Sequence, residues 1–181
     1  YAAALEHLQA LGDRFSEVLI TGNLGVAKYK GGDSEGSLAA HQRSLALAAE
    51  LGETSSQMVA LLNIADVETH RGELVAAGEA LDRAEAIADE IGSRHGRVHA
   101  SFGRGDIAAK RGRLGEALTI HLAGLRQTLD LSRMVEVAES FERIGVLLGE
   151  IGESELAART IELAARGRAA SGTPFGTDAA A

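Results

Sequence analysis

Apolar residues recur at intervals of three and four along most of the chain, which is the spacing of one face of an α-helix. After Gly72, for example, the apolar positions are Leu74, Ala77, Leu81, Ala84, Ala88 and Ile91. Such stretches alternate with glycine-containing turns and predict eight helices, near residues 14–30, 34–50, 54–70, 74–90, 94–110, 114–130, 134–150 and 154–170. The chain is therefore predicted to be all-α.

The turns repeat with a period of 40 residues. One series is Gly32-Asp33, Gly72-Glu73, Gly112-Arg113 and Gly152-Glu153; the other is Leu11-Gly12, Leu51-Gly52, Ile91-Gly92, Leu131-Ser132 and Ser171-Gly172. Glycine readily adopts the left-handed conformation that ends a helix. Two interleaved series therefore predict helix-turn-helix units that stack into a solenoid.

The period divides the chain into four predicted repeats, 13–52, 53–92, 93–132 and 133–172, each with a first (A) and a second (B) helix. Residues 1–12 align with 41–52, so they are predicted to be the second helix of a truncated repeat. A half-repeat with no initiating Met predicts a fragment of a longer protein. Residues 173–181 are predicted to be a flexible tail or linker.

Small residues recur at set positions, where the two helices of a pair are expected to approach closely. The three sets are Gly25, Ala65, Gly105 and Gly145; Ser37, Ala77, Ala117 and Ala157; and Ser44, Ala84, Gly124 and Ala164. Glycine inside a helix costs about 1 kcal/mol relative to alanine. Its presence in three of the four repeats at the first position predicts a close contact that offsets this loss.

These positions resemble the tetratricopeptide repeat (TPR) motif over residues 13–172. The resemblance rests on Asn23-Leu24-Gly25, Gly32-Asp33, Ser37, Ser44 and Leu45, and the pattern recurs from Asn63. It implies a right-handed superhelical solenoid of about four antiparallel helix pairs plus a leading half-repeat. The unit departs from the motif in having 40 residues rather than 34 and in lacking the usual closing proline.

Three phrases, SLALAAELGE, NIADVETHRGEL and AARGRAASGTP, are similar to the TPR segments of large actinobacterial LuxR-type and SARP-type transcriptional regulators. In those proteins a nucleotide-binding module and a DNA-binding module flank the TPR array. The resemblance implies that the chain is part of such a regulator. No nucleotide-binding or DNA-binding signature occurs in the chain itself.

Composition and charge narrow the class of partner. The formal net charge is −8 and there is no Cys, so the chain is a poor match for a phosphate backbone and cannot form a thiolate metal site. We therefore expect no direct nucleic-acid binding. No apolar run reaches the ~18 residues of a membrane helix, and no signal peptide is visible, so we expect no membrane association and a cytoplasmic location.

The charge is unevenly distributed between repeats. The second repeat has nine acidic and two basic residues, whereas the third has three acidic and seven basic residues. Neutralisation between stacked neighbours and a bipolar binding surface are both consistent with this asymmetry.

Candidate metal ligands are few. His95 and His99 are spaced i, i+4, and His70 is the candidate third ligand, but a structural zinc site normally has four ligands. His41 and His121 occupy equivalent positions on B helices and are interpreted as packing residues. We therefore expect neither a metal nor a cofactor.

Candidate catalytic groups are also lacking. The stretch Gly103-Arg104-Gly105-Asp106 lies within a predicted helix, not between a strand and a helix as a phosphate-binding loop does. Ser101 has no identifiable base and orienting group. The chain is therefore not predicted to be an enzyme.

The remaining candidate site is the concave groove, which A helices line in TPR solenoids. Transferred through the resemblance, its residues are Leu19, Asn23, Val26, Tyr29, Lys30, Val59, Leu62, Asn63, Asp66, His70, His99, Phe102, Asp106, Lys110, Glu139, Glu142, Val146 and Glu150. Asn23 and Asn63 match an asparagine that holds the ligand backbone in peptide-binding TPR proteins, since an amide both donates and accepts hydrogen bonds. The match fails at Gly103 and Arg143, and the alternative is that both asparagines only bridge helices.

The leading functional prediction is a protein–protein interaction module that holds a peptide, a helix or a flanking regulatory module, including one from the same chain. An exposed apolar stripe marks an interface, and the expected stripe comprises Leu19, Val26, Val59, Leu62 and Phe102. Replacing Asn63 and Phe102 by alanine is expected to weaken binding without unfolding the chain. A small-molecule-sensing domain and a structural spacer or homodimerisation element remain open alternatives.

Overall fold

The structure, a computed structural model, describes residues 2–130 and 134–171. In this part of the chain there are nine helices: α1 (Ala2–Leu11), α2 (Arg14–Lys30), α3 (Ser34–Leu51), α4 (Thr54–Arg71), α5 (Leu74–Glu90), α6 (Arg94–Lys110), α7 (Leu114–Asp130), α8 (Met134–Ile151) and α9 (Ser154–Ser171). The eight predicted helices are confirmed, each to within one residue at either end. The predicted tail, residues 173–181, and the turn at Leu131-Ser132 lie outside the described residues.

The helices form two compact units, Tyr1–Gly103 and Arg104–Ala181, whose boundary falls within α6. In the first unit α2 packs on α3, α3 on α4, and α4 on α5. In the second unit α7 packs on α8, and α8 on α9. Helices that follow each other along the chain are therefore neighbours in space, as expected for helix pairs joined by short turns.

Left-handed glycines follow α1 to α6 and α8, as both glycine series predict. At Gly72 the backbone φ is 84°, the Gly72 N–H donates to the Thr69 carbonyl and the Glu73 N–H donates to the Glu68 carbonyl at 2.9 Å. These bonds satisfy carbonyl groups that the last turn of α4 leaves open. The same conformation occurs at Gly12, Gly32, Gly52, Gly92, Gly112 and Gly152.

Aspartate caps begin two of the helices that form the candidate site. Asp13 accepts a hydrogen bond from the Ser16 N–H at 3.1 Å at the start of α2. Asp33 accepts one from the Gly36 N–H at 2.8 Å at the start of α3. Such caps satisfy N–H groups that have no partner within the helix.

The small residues mark close approaches between paired helices, which confirms that prediction. A Cβ atom built on Gly25 would lie 2.6 Å from Cε1 of His41, and one on Gly105 would lie 2.7 Å from Nε2 of His121. Both distances are too short for a real Cβ. The B-helix side chain therefore packs directly on the backbone of the A helix. The other two sets of small residues are buried as well.

Within the described residues, no helix combines the length and the apolar character that crossing a membrane would require.

Candidate functional site

A cleft of about 420 Å³ lies in the first unit. Helix α2 contributes Val18, Leu19, Gly22, Asn23 and Val26 to its lining. Helix α4 contributes Ser55, Ser56, Val59, Ala60 and Asn63, and α3 contributes His41 and Ser44. The cleft is therefore bounded by the A helices of the first two predicted repeats and reaches a B helix.

Apolar side chains and amides alternate along the cleft. Leu19 is 47 % exposed and Val59 is 49 % exposed, and Val26 lies two helical turns beyond Leu19. Asn23 follows Leu19 by one turn, and Asn63 follows Val59 by one turn. Five of the predicted groove residues are thus brought together at one opening. Their binding of a partner stays a prediction.

Gly22 lines the cleft without contributing a side chain to it. A Cβ built on Gly22 would lie 3.5 Å from Oγ of Ser44, which is an ordinary contact distance. The equivalent positions of the next two repeats hold Leu62 and Phe102, which are buried. A large side chain at this position fills space within a repeat, whereas glycine leaves the space open.

The prediction that Leu62 and Phe102 belong to an exposed stripe is wrong. Leu62 is 2 % exposed and Phe102 is 5 % exposed. Both side chains are part of the helix packing rather than of a solvent-facing stripe. The transferred TPR register treated every position of that face as open.

Several predicted groove residues of the first unit contact one another. His99 Nε2 lies 3.4 Å from Asp66 Oδ2. The rings of Tyr29 and His70 meet edge to face, with centroids 5.5 Å apart. Lys30 is exposed and does not line the cleft. Apart from Lys30, these side chains take part in the internal packing of the first unit.

Among the predicted groove residues of the second unit, Glu142 is held by an arginine of the paired helix. Its Oε1 accepts a hydrogen bond from Arg168 Nε at 2.6 Å, and this bond raises the pKa of Arg168. Lys110, Val146 and Glu150 are exposed, and Glu139 is half-buried. None of these residues lines the cleft of the first unit.

Asp106 contacts a histidine, His121, and an arginine, Arg143, in the second unit. Its Oδ1 lies 3.1 Å from Nε2 of the buried His121, and its Oδ2 accepts a hydrogen bond from Arg143 Nε at 3.3 Å. Burial alone would raise the pKa of Asp106, but the interaction with His121 and the charge of Arg143 outweigh burial. The pKa is held below its ordinary value of 3.8. Asp106 is therefore a structural carboxylate rather than a free groove residue.

The replacement Asp106→Asn should lower the free energy of unfolding by about 1 kcal/mol at pH 7, since it removes charge-assisted hydrogen bonding. A lowered folded-state pKa means that this stabilisation is present above 3.8 and is lost as pH falls through the folded-state value. Urea unfolding at several pH values should therefore show the wild-type advantage shrinking in acid. Glu155→Gln, at a side chain of the same unit that is 90 % exposed, serves as the control. A difference in unfolding free energy between wild type and Asp106→Asn that stays constant with pH would contradict the stabilising role of the Asp106 carboxylate.

Seven residues that line the cleft are absent from the predicted groove: Val18, Gly22, His41, Ser44, Ser55, Ser56 and Ala60. Ser55 occupies the position held by Phe15 in the first repeat and by His95 in the third. Comparison between repeats therefore contained a signal: a small residue replaces a ring beside the cleft. His41, interpreted as a packing residue, does pack on Gly25 but also lines the cleft.

No group of three or more potential metal ligands is assembled among the described residues. The rings of His95 and His99 meet edge to face with centroids 6.1 Å apart.

Comparison with known proteins relates the chain to TPR-like structures. No protein-family model matches the sequence, and no curated protein matches it. The crystal structure of BtubC (BKLC) from P. vanneervenii matches with a TM-score of 0.67 and 17 % sequence identity, covering 97 % of this chain and 73 % of that one. A kinesin light chain-like protein of Podosopora anserina with nearly identical TPR-like repeats matches with a TM-score of 0.54 and 15 % identity. That match covers 92 % of this chain and 85 % of the other.

The fold is therefore an all-α solenoid of TPR-like helix pairs.

Proposed function

We propose that the cleft between α2 and α4 holds a segment of a protein partner, so that the chain acts as an interaction module rather than as an enzyme. The observation that supports this most directly is the cleft itself, in which exposed Leu19, Val26 and Val59 surround the amides of Asn23 and Asn63. Burying apolar surface contributes about 25 cal/mol per Å². The amides are suited to the donors and acceptors of a peptide backbone.

The partner is a peptide, a helix or a flanking module of the same polypeptide. A flanking module would be present if, as we propose, the chain belongs to a larger LuxR-type or SARP-type transcriptional regulator of the actinobacteria. Its support is the similarity of the phrases SLALAAELGE and NIADVETHRGEL to such proteins. In that setting, occupation of the cleft would connect the TPR array to a regulatory module.

A small-molecule sensor is the second candidate function. The cleft volume of about 420 Å³ lies within the range of roughly 300–1,000 Å³ that is usual for small-molecule sites. A ligand that binds the folded state raises the stability by RT ln(1 + [L]/Kd). A thermal-shift screen of metabolites would reveal such a ligand, and its effect would have to disappear when the cleft is filled.

Filling the cleft with Gly22→Leu tests the proposal. We expect the affinity for peptides selected on the wild-type chain from a random displayed library to fall at least about tenfold, which corresponds to about 1.4 kcal/mol. The change copies Leu62 of the second repeat, and leucine favours the helix over glycine by nearly 1 kcal/mol. The melting temperature should therefore not fall. Fluorescence polarisation of labelled peptides measures the affinity.

Gly78→Leu provides the matched control. Gly78 lies in α5, outside the cleft, and no atom lies within 4 Å of a Cβ built on it. This variant should bind the selected peptides as the wild type does. Peptide binding that survives Gly22→Leu within twofold would exclude this cleft as the binding site.

A further inference from the structure

His41 is a buried polar residue at the inner side of the cleft. It is 2 % exposed, and its ring lies against Gly25. Its Nδ1 has no hydrogen-bond partner among the described residues. Leaving a buried polar group unsatisfied costs about 1–3 kcal/mol. The ring therefore retains hydrogen-bonding capacity that the described residues do not use.

Packing alone does not require an imidazole at this position. The second repeat has Leu81 there, and Leu81 is fully buried. The third repeat has His121, but His121 lies 3.1 Å from the carboxylate of Asp106. The first repeat has Val26 at the position of Asp106, so its own A helix offers His41 no such carboxylate.

The described residues that line the cleft include no Asp, Glu, Lys or Arg. Burial lowers the pKa of His41 below 6.5, and the charge of Asp66 only partly opposes this. At neutral pH the ring is therefore uncharged, with one nitrogen that donates and one that accepts a hydrogen bond. An anionic group entering the cleft would lose hydration without meeting an opposite charge from the lining, which is unfavourable.

We propose that His41 selects the partner side chain that enters the cleft, favouring an uncharged side chain that ends in a hydroxyl or amide group. The apolar part of that side chain contacts Leu19, Val26 and Val59, and its polar end hydrogen-bonds to the imidazole. This inference rests on the proposed function and adds to it the chemical class of the recognised residue. Tyr and Gln fit the description, whereas Phe lacks the polar end and Glu carries a charge.

Capped amino acids test this selection directly, because they carry only the side chain in question. The ¹⁵N-labelled chain is titrated at pH 7.5 with the N-acetyl amides of Tyr, Phe, Gln and Glu, and the amide signals of Gly22, Asn23 and Asn63 are followed. We expect saturable shifts, with Tyr binding about threefold to tenfold more tightly than Phe, as one hydrogen bond provides. Gln should bind more tightly than Glu. The ring nitrogen signals of His41 should also respond to Tyr but not to Phe.

Two variants test whether His41 causes the preference for Tyr over Phe. His41→Leu copies Leu81 and should bring the Tyr and Phe affinities together. His121→Leu changes the equivalent position in the second unit, away from the cleft, and should leave the preference intact. If a variant unfolds, the ratio of the Tyr and Phe affinities of the wild type and the ring nitrogen signals of His41 still test the inference.

Equal affinities for Tyr and Phe, a preference that persists in His41→Leu, or no shift at the three cleft signals would each overturn the inference. The first two results would leave the cleft as a binding site and remove only the role of His41. The broader proposal fails separately, if selected peptides still bind Gly22→Leu.

Discussion

Replacing Phe102 by alanine is expected to lower the free energy of unfolding by about 3–5 kcal/mol, the usual loss for a buried phenylalanine. The side chain is 5 % exposed, so its removal leaves a cavity in the helix packing. This loss is a large part of the ~5–15 kcal/mol that typically stabilises a domain. A loss of partner binding in this variant would therefore report unfolding rather than a missing contact.

Urea unfolding followed by circular dichroism measures the effect. Leu19→Ala is a suitable comparison because Leu19 is 47 % exposed and lines the cleft, so its stability change should stay below about 1 kcal/mol. An unfolding midpoint for Phe102→Ala as close to wild type as that of Leu19→Ala would show that Phe102 is not part of the core.

Gly25→Ala is expected to destabilise the chain by about 1–3 kcal/mol, the range found for overpacked sites. The added methyl would lie 2.6 Å from the His41 ring, so the ring or the two helices would have to shift to accommodate it. Helix propensity alone would have favoured alanine by nearly 1 kcal/mol. The expected sign is therefore opposite to that of an ordinary glycine-to-alanine change in a helix.

Gly78→Ala measures the gain in helix propensity without a steric clash. Nothing lies within 4 Å of a Cβ at Gly78, and the residue is inside α5, so this change should stabilise the chain by up to about 1 kcal/mol. The two variants should shift the melting temperature in opposite directions. A stabilising Gly25→Ala would contradict the tight approach of α2 and α3.

The helix bounds, the left-handed turns and the close helix contacts were predictable because the repeats align with one another. Gly25, Gly105 and Gly145 share a position, and each faces a side chain on the paired helix. These features depend on local backbone conformation and on packing within one helix pair. They are therefore repeated wherever the sequence pattern is repeated.

The cleft and its neighbours were less predictable because they depend on differences between repeats. The register transferred from TPR proteins placed Leu62 and Phe102 on the groove, whereas the structure buries both. It also treated Asp106 as a groove residue, although that carboxylate contacts His121 on the paired helix. Contacts such as that between Asp106 and His121 depend on which residue types face each other on two packed helices. The repeat period does not specify those residue types.

The equivalence of Gly22 and Leu62 also bears on how such an array can change its specificity. The helix pairs share one backbone design, so side-chain volume at a single repeat position decides whether a pair offers an opening or a filled interior. We therefore expect that exchanging one residue can open or fill such a cleft while the neighbouring turns stay the same. The number of such openings therefore need not follow the number of repeats.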